Sequence, residues 1–148
     1  MGVEIERKFL VDKKRWQKIK PTEGLFIAQG YLHNSKDKTV RVRTKGEKGF
    51  LTIKGATDGI SRTEFEYVIP KKEAEELLRT FCPKRIEKTR YLVEHEGKTW
   101  EVDEFDFPNS GLILAEVELN SVEEQIALPE WVTEDVSDNP AYFNSNML

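Results

Sequence analysis

The sequence predicts an α+β chain built on one antiparallel sheet of seven or more strands, carrying two or three short helices or closed into a barrel. Three observations predict it. Short segments of alternating apolar and charged residues recur along most of the 148 residues. Turn signals separate them, including Gly46-Glu47-Lys48-Gly49, Thr57-Asp58-Gly59 and His95-Glu96-Gly97-Lys98. Only one stretch, after Pro70, carries a clear helical stripe. No low-complexity segment, long linker or fixed-period repeat interrupts the pattern, so one domain over residues 1–148 is expected.

The elements follow in order. Residues 2–11 alternate as a strand. Asp12 can cap a short helix over 13–20, with Trp16 and Ile19 on one face and Pro21 ending it. Strands are expected over 25–32, 39–45, 50–54 and 61–69. Pro70 opens a helix in which Ala74, Leu77, Leu78 and Phe81 form one apolar stripe, and Pro83 closes it. Residues 85–94 and 99–105 form a hairpin, and 112–119 a further strand. Beyond that the pattern weakens, with a short terminal helix expected over 141–148 behind Pro140.

Composition narrows the functions. Charged residues make up 34% of the chain, against roughly 25% in an ordinary soluble domain. They nearly balance, with 27 acids, 23 bases and a net charge of -4, so no basic surplus points to duplex nucleic acid. Cys82 is alone, which excludes an internal disulfide and a cysteine-rich zinc site. His33 and His95 lack ligand-like partners and read as solvated loop residues. No apolar run approaches the ~20 residues of a membrane span. The first residues resemble no signal peptide, and Glu6 stands where a myristoylation signal has Ser or Thr. A soluble, cytoplasmic protein without a membrane partner is expected.

Where the charges fall is more informative than their sum. Alternate strand residues face opposite sides of a sheet. Glu4, Glu6 and Lys8 share a face, as do Arg41 with Arg43, Thr52 with Lys54, Arg62 with Glu64 and Glu66, Lys88 with Arg90, Glu101 with Asp103, and Glu116 with Glu118. The bland account is an amphipathic sheet with its charges in water. Like charges two apart on one face repel, however, and several of these faces are wholly acidic or wholly basic. That suits a groove or tunnel holding a divalent metal with phosphate: carboxylates supply hard oxygens for Mg²⁺ or Mn²⁺, and Arg and Lys donate to phosphate oxygens. The apolar outer face would then need cover from the helix stripe and from Trp16 and Ile19.

Competing motifs fail. Residues 46–55 lack the Gly-Lys-Ser/Thr ending of a P-loop. Tyr31, Tyr67, Tyr91 and Trp100 lie on or near the apolar parity and are expected in the core rather than stacking bases. No serine has histidine and acid partners at recognisable spacing.

Glu4-Ile5-Glu6-Arg7-Lys8 resembles the ExExK signature of the CYTH superfamily, the triphosphate tunnel metalloenzymes. The later elements follow in that family's order. Arg41 and Arg43 match its paired arginines, Thr52-Ile53-Lys54 its TxK-like strand, and Arg62, Glu64 and Glu66 its RxExE. Lys88 and Arg90 match KxR, Glu101 and Asp103 match ExD, and Glu116 and Glu118 match ExE. The resemblance implies an eight-stranded antiparallel β-barrel forming a charged tunnel, a triphosphate-bearing small molecule as substrate, and Mg²⁺ or Mn²⁺ as cofactor. Relatives often carry an Arg-Tyr pair near the C-terminus, where this chain has Ala141-Tyr142.

The resemblance also implies roles. Glu4, Glu6, Glu116, Glu118 and Asp103 are expected to hold metal, with Glu4, Glu6 and Lys8 at the chemistry. Lys8, Arg41, Arg43, Lys54, Arg62, Lys88 and Arg90 would grip phosphate, and Glu64, Glu66 and Glu101 would line the tunnel. Arg62 with Glu64 and Glu66 can also be read as a structural ion-pair lattice. The expected reaction is metal-assisted hydrolysis of a phosphoanhydride, such as tripolyphosphate or a nucleoside or thiamine triphosphate. A class IV-type adenylate cyclase and a non-catalytic triphosphate-binding module are the alternatives. Oligomeric state is left open.

Overall fold

Alternation of apolar and charged residues makes Gly2–Val11 a strand, β1, and the barrel closes on it. The computed structural model describes residues 2–148; Met1, counted in the expected domain, lies outside them. After β1 come helix α1 (Lys13–Ile19), strands β2 (Leu25–Asn34), β3 (Lys38–Lys45), β4 (Lys48–Gly55) and β5 (Ser61–Ile69), and helix α2 (Lys71–Phe81). Then follow β6 (Ile86–His95), β7 (Lys98–Phe107), β8 (Ile113–Glu118) and β9 (Val132–Asp135).

All recorded pairings are antiparallel, in the order β5-β4-β3-β2-β6-β7-β8-β1-β9. A further pairing of β1 with β5 shuts eight strands into a barrel, as the family resemblance implies. That seam is short, four register pairs from Gly2↔Glu64 to Ile5↔Ser61. Farther along, Phe9 and Val11 of β1 pair with β9 instead. The β6–β7 hairpin turns through Glu96 and Gly97, both at positive φ, the backbone of a two-residue type I′ turn.

The outer face is covered in two patches. Asp12 caps α1 by accepting from the Arg15 N–H at 3.1 Å, and Trp16 is buried with Trp100 and Trp131 over β1, β7 and β8. On the other side, Ala74 and Leu78 of α2 pack on Ala28 and Val42. The predicted stripe is narrower than expected, since Phe81 is 61% exposed and Ile19 is also exposed. A third cluster lies at one end of the barrel. Ile86, Phe105 and Leu114, with Leu10, continue the interior parity of their strands, and Val136, Tyr142 and Met147 pack over them. Apolar residues thus fill that end, and the charged interior is a cup.

Three expectations change. Residues 132–135 form a strand that the pattern does not reveal. The terminal helix is instead two 3-10 turns, Pro140–Tyr142 and Asn144–Asn146. Tyr31 faces the cavity and Tyr67 is 55% exposed, because α2 covers β2 to β4 but leaves the outer face of β5 open.

Candidate active site in the barrel

Closing the sheet turns one face of every strand inward. The resulting cavity is about 450 Å³. Of the fifteen predicted site residues, all but Asp103 line it: Glu4, Glu6, Lys8, Arg41, Arg43, Lys54, Arg62, Glu64, Glu66, Lys88, Arg90, Glu101, Glu116 and Glu118. Period-two parity groups them on one face of each strand, and the family resemblance makes that face the interior.

The acids gather where β1 meets β8, with Glu6 opposite Glu118 and Lys8 opposite Glu116 in register. Glu6 lies beside Glu116, the neighbour whose charge most opposes its own. Burial, reinforced by Glu116 and Glu4, holds the Glu6 carboxyl well above the usual glutamate range. Burial also disfavours charge on Glu116, but Lys8 and Arg90 outweigh it and hold that carboxyl well below the range. One site thus pushes the two carboxyls in opposite directions. Lys8 reaches Glu116 at 3.5 Å; burial pulls its ammonium down, and Glu116, Glu6 and Asp103 together raise it above the usual value.

The bases gather on β3, β4 and β6. Arg41 and Arg43 both lean on Oε2 of Glu66, at 3.4 and 3.3 Å, and the Thr52 hydroxyl donates to the same oxygen at 2.7 Å. Two guanidiniums thus share one carboxylate, and the Nε of each is buried without a partner among the described residues. Burial, with Arg41 and Arg90 alongside, pulls Arg43 down to about 10. Arg41 and Arg43 are thus short of negative charge. Lys54 binds both oxygens of Glu4, at 2.9 and 3.2 Å, and Glu64 at 3.4 Å.

Asp103 differs from its expected role as a metal ligand. It is 1% exposed and lies off the cavity lining. Arg90 clamps it through Nε and Nη2 at 2.8 and 2.9 Å, and Lys88 holds its Oδ2 at 2.8 Å. Burial opposes its charge, but Lys88 and Arg90 outweigh that and hold the carboxyl below the usual range. Burial in turn lowers Lys88 to about 8, with Asp103 opposing and Arg90 adding to the drop. Arg62 departs from the lattice reading, because it donates to the Gly55 carbonyl at 3.2 and 3.0 Å while Glu64 and Glu66 pair with other cations.

Other lining residues escaped the sequence reading. Lys45 continues the parity of Arg41 and Arg43, and Thr99 that of Glu101, so pattern alone could have found them. Phe143, Asn144 and Ser145 enter from the C-terminal segment, where no parity exists. Ala141 is exposed and lies off the lining.

Among the described residues no three potential ligands stand as a ready-made metal cage. The donor chemistry nevertheless fits a hard divalent cation. Glu6 and Glu116 lie side by side, Glu4 and Glu118 flank Glu6, and carboxylates this close repel unless a cation lies among them.

Fold and site together define a closed antiparallel β-barrel whose inner wall is lined by acids and bases. The CYTH domain family matches residues 2–144, and the chain belongs to that family. It is 46% identical over 149 residues to the inorganic triphosphatase of Acetivibrio thermocellus, covering 100% of this chain and 94% of that one. It is 35% identical over 145 residues to the inorganic triphosphatase of Nitrosomonas europaea, covering 95% and 93%. Among solved structures it matches the crystal structure of an inorganic triphosphatase with a TM-score of 0.67 and 32% identity, over 99% and 94% of the two chains.

Proposed function

We propose that this chain hydrolyses tripolyphosphate to pyrophosphate and orthophosphate inside the barrel, with Mg²⁺ or Mn²⁺ as cofactor. One observation carries the reading: Arg41 and Arg43 lean on a single carboxylate, Glu66, in the same cavity that gathers Glu4, Glu6, Glu116 and Glu118. A metal triphosphate brings an anion to the guanidiniums and a cation to the glutamates. The relatives named inorganic triphosphatase support the same substrate.

Glu4, Glu6, Glu116 and Glu118 would hold the metal. When bound, the divalent ion supplies Lewis-acid polarisation of the phosphoryl group and a lowered pKa for the attacking water. Arg41, Arg43, Lys54, Arg62 and Arg90 hold the phosphate oxygens, and Glu66 fixes the fork of the first two. Lys8 and Lys88 stabilise the charge that builds during transfer. Asp103 positions Lys88 and Arg90 rather than binding metal. The filled end of the barrel keeps bulk water from that side of the substrate.

The test offers the protein tripolyphosphate, ATP and thiamine triphosphate with each metal, and scores orthophosphate, pyrophosphate and cyclic AMP separately. Metal-dependent release of orthophosphate from tripolyphosphate is expected. Cyclic AMP with pyrophosphate from ATP would identify a cyclase instead, and tight tripolyphosphate binding without turnover would identify a receptor.

A further inference from the structure

We infer that Asn144 is a positioning residue of this site, acting through the Lys88 ammonium; the inference rests on reading the cavity as a triphosphatase site. Lys88 is only 2% exposed, and an ammonium has three N–H donors to satisfy. One goes to Asp103 Oδ2 at 2.8 Å and a second to Asn144 Oδ1 at 3.1 Å. The Phe105 ring lies 5.3 Å away and offers no classical acceptor. The third N–H meets no acceptor among the described residues, and Lys88 lines the cavity. Two anchors on a tetrahedral nitrogen set the direction of the remaining bond. That bond is the one available to a phosphate oxygen.

The two anchors differ in kind. Asp103 is held by Arg90 and cannot follow a moving ammonium. Asn144 comes from the C-terminal segment, and its Oδ1 also accepts from the fully buried Gln29 amide at 3.4 Å. An amide oxygen accepts the N–H without adding a negative charge that would compete with substrate. Other contacts hold the segment as well. Asn34 donates to the Ser145 carbonyl at 2.7 Å, Asn146 to the Pro140 carbonyl at 2.8 Å, and Tyr142 and Met147 pack into the end of the barrel.

The test compares Asn144→Ala with Asn146→Ala, which loosens the same segment without touching Lys88. Asn144→Ala is expected to lower kcat on tripolyphosphate by about 10-fold or more, with KM changed by less than about 3-fold, the signature of a misdirected donor. Asn146→Ala should stay within about twofold of the parent. In a Lys88→Ala background, adding Asn144→Ala should cost nothing further, because the residue it acts through is gone. Unchanged kcat in Asn144→Ala, or an equal further loss in the Lys88→Ala background, overturns the inference. The Lys88 ammonium resonance in a ¹H–¹⁵N spectrum provides a readout independent of turnover. It should shift in Asn144→Ala and not in Asn146→Ala, and an unmoved resonance likewise overturns the inference. A shifted resonance in a protein that hydrolyses no triphosphate sinks the triphosphatase reading while the positioning contact stands. If Asn144→Ala does not fold, Asn144→Ser draws the acceptor back from Lys88 and serves in its place.

Discussion

At the scale of single residues, the site holds charges that the fold alone would not choose. Glu6 is the clearest case, because its carboxyl is raised by burial and by Glu116 and Glu4. A carboxyl with a raised folded pKa weakens the fold at every pH where the unfolded chain has it ionised. Glutamine cannot ionise and can donate to Glu116. Glu6→Gln should therefore raise the melting temperature of the metal-free protein by about 3 °C, for roughly 1 kcal/mol gained. The same variant should lose metal-dependent hydrolysis; a calorimetric scan beside a phosphate-release assay checks both. Asp103 behaves oppositely. Replacing it with Ala strips Lys88 and Arg90 of their shared buried counter-charge, and should cost about 3–5 kcal/mol in urea denaturation. A loss near zero would return Asp103 to a role beyond positioning.

At the scale of elements, α2 shows how packing depends on small residues. The helix lies close over β2 and β4, where a Cβ added at Gly49 would stand 2.7 Å from the Ala74 Cβ and 3.0 Å from the Ile69 carbonyl oxygen. Gly49→Ala must push the helix outward, and an unfolding loss of about 1–3 kcal/mol is expected by urea titration. The strands up to Glu118 and both helices were legible in the sequence, since alternation and the α2 stripe are local patterns. The strand Val132–Asp135 was not, because its short run leans on β1 and has no strong alternation of its own. The C-terminal segment forms 3-10 turns instead of the expected helix for a related reason. Its contacts with Lys8, Gln29, Asn34 and Lys88, not its propensity, determine its path.

At the scale of the whole molecule, two sets of carboxylates oppose each other. Glu6, Glu64 and Glu101 are raised, first by burial in each case, whereas Glu116, Asp103 and Glu66 are lowered by cations or hydrogen bonds that outweigh burial. The raised set adds stability as pH falls through its folded values toward the ordinary glutamate range. The lowered set contributes stability above the ordinary carboxylate range and loses it as pH falls through its own folded values. The metal-free melting temperature should therefore rise from pH 8 into mildly acidic solution and then fall. Saturating Mg²⁺ or Mn²⁺ should flatten the rise, because a cation keeps Glu6 ionised. A monotonic decline from pH 8 without metal would contradict this balance.

The sequence by itself determined which residues share a face, since side-chain alternation is a property of one strand and needs no partner. Fourteen of the fifteen predicted residues lie on one cavity wall. Only the tertiary structure decided how those residues pair. Asp103 shares its parity with Glu101, yet β6 brings Arg90 and Lys88 against it and holds it in ion pairs off the cavity lining. Likewise, apolar residues from four strands fill one end of the barrel, and Asn144 arrives beside Lys88 from 56 positions away. Such meetings depend on strand register and chain return, and no local period encodes them.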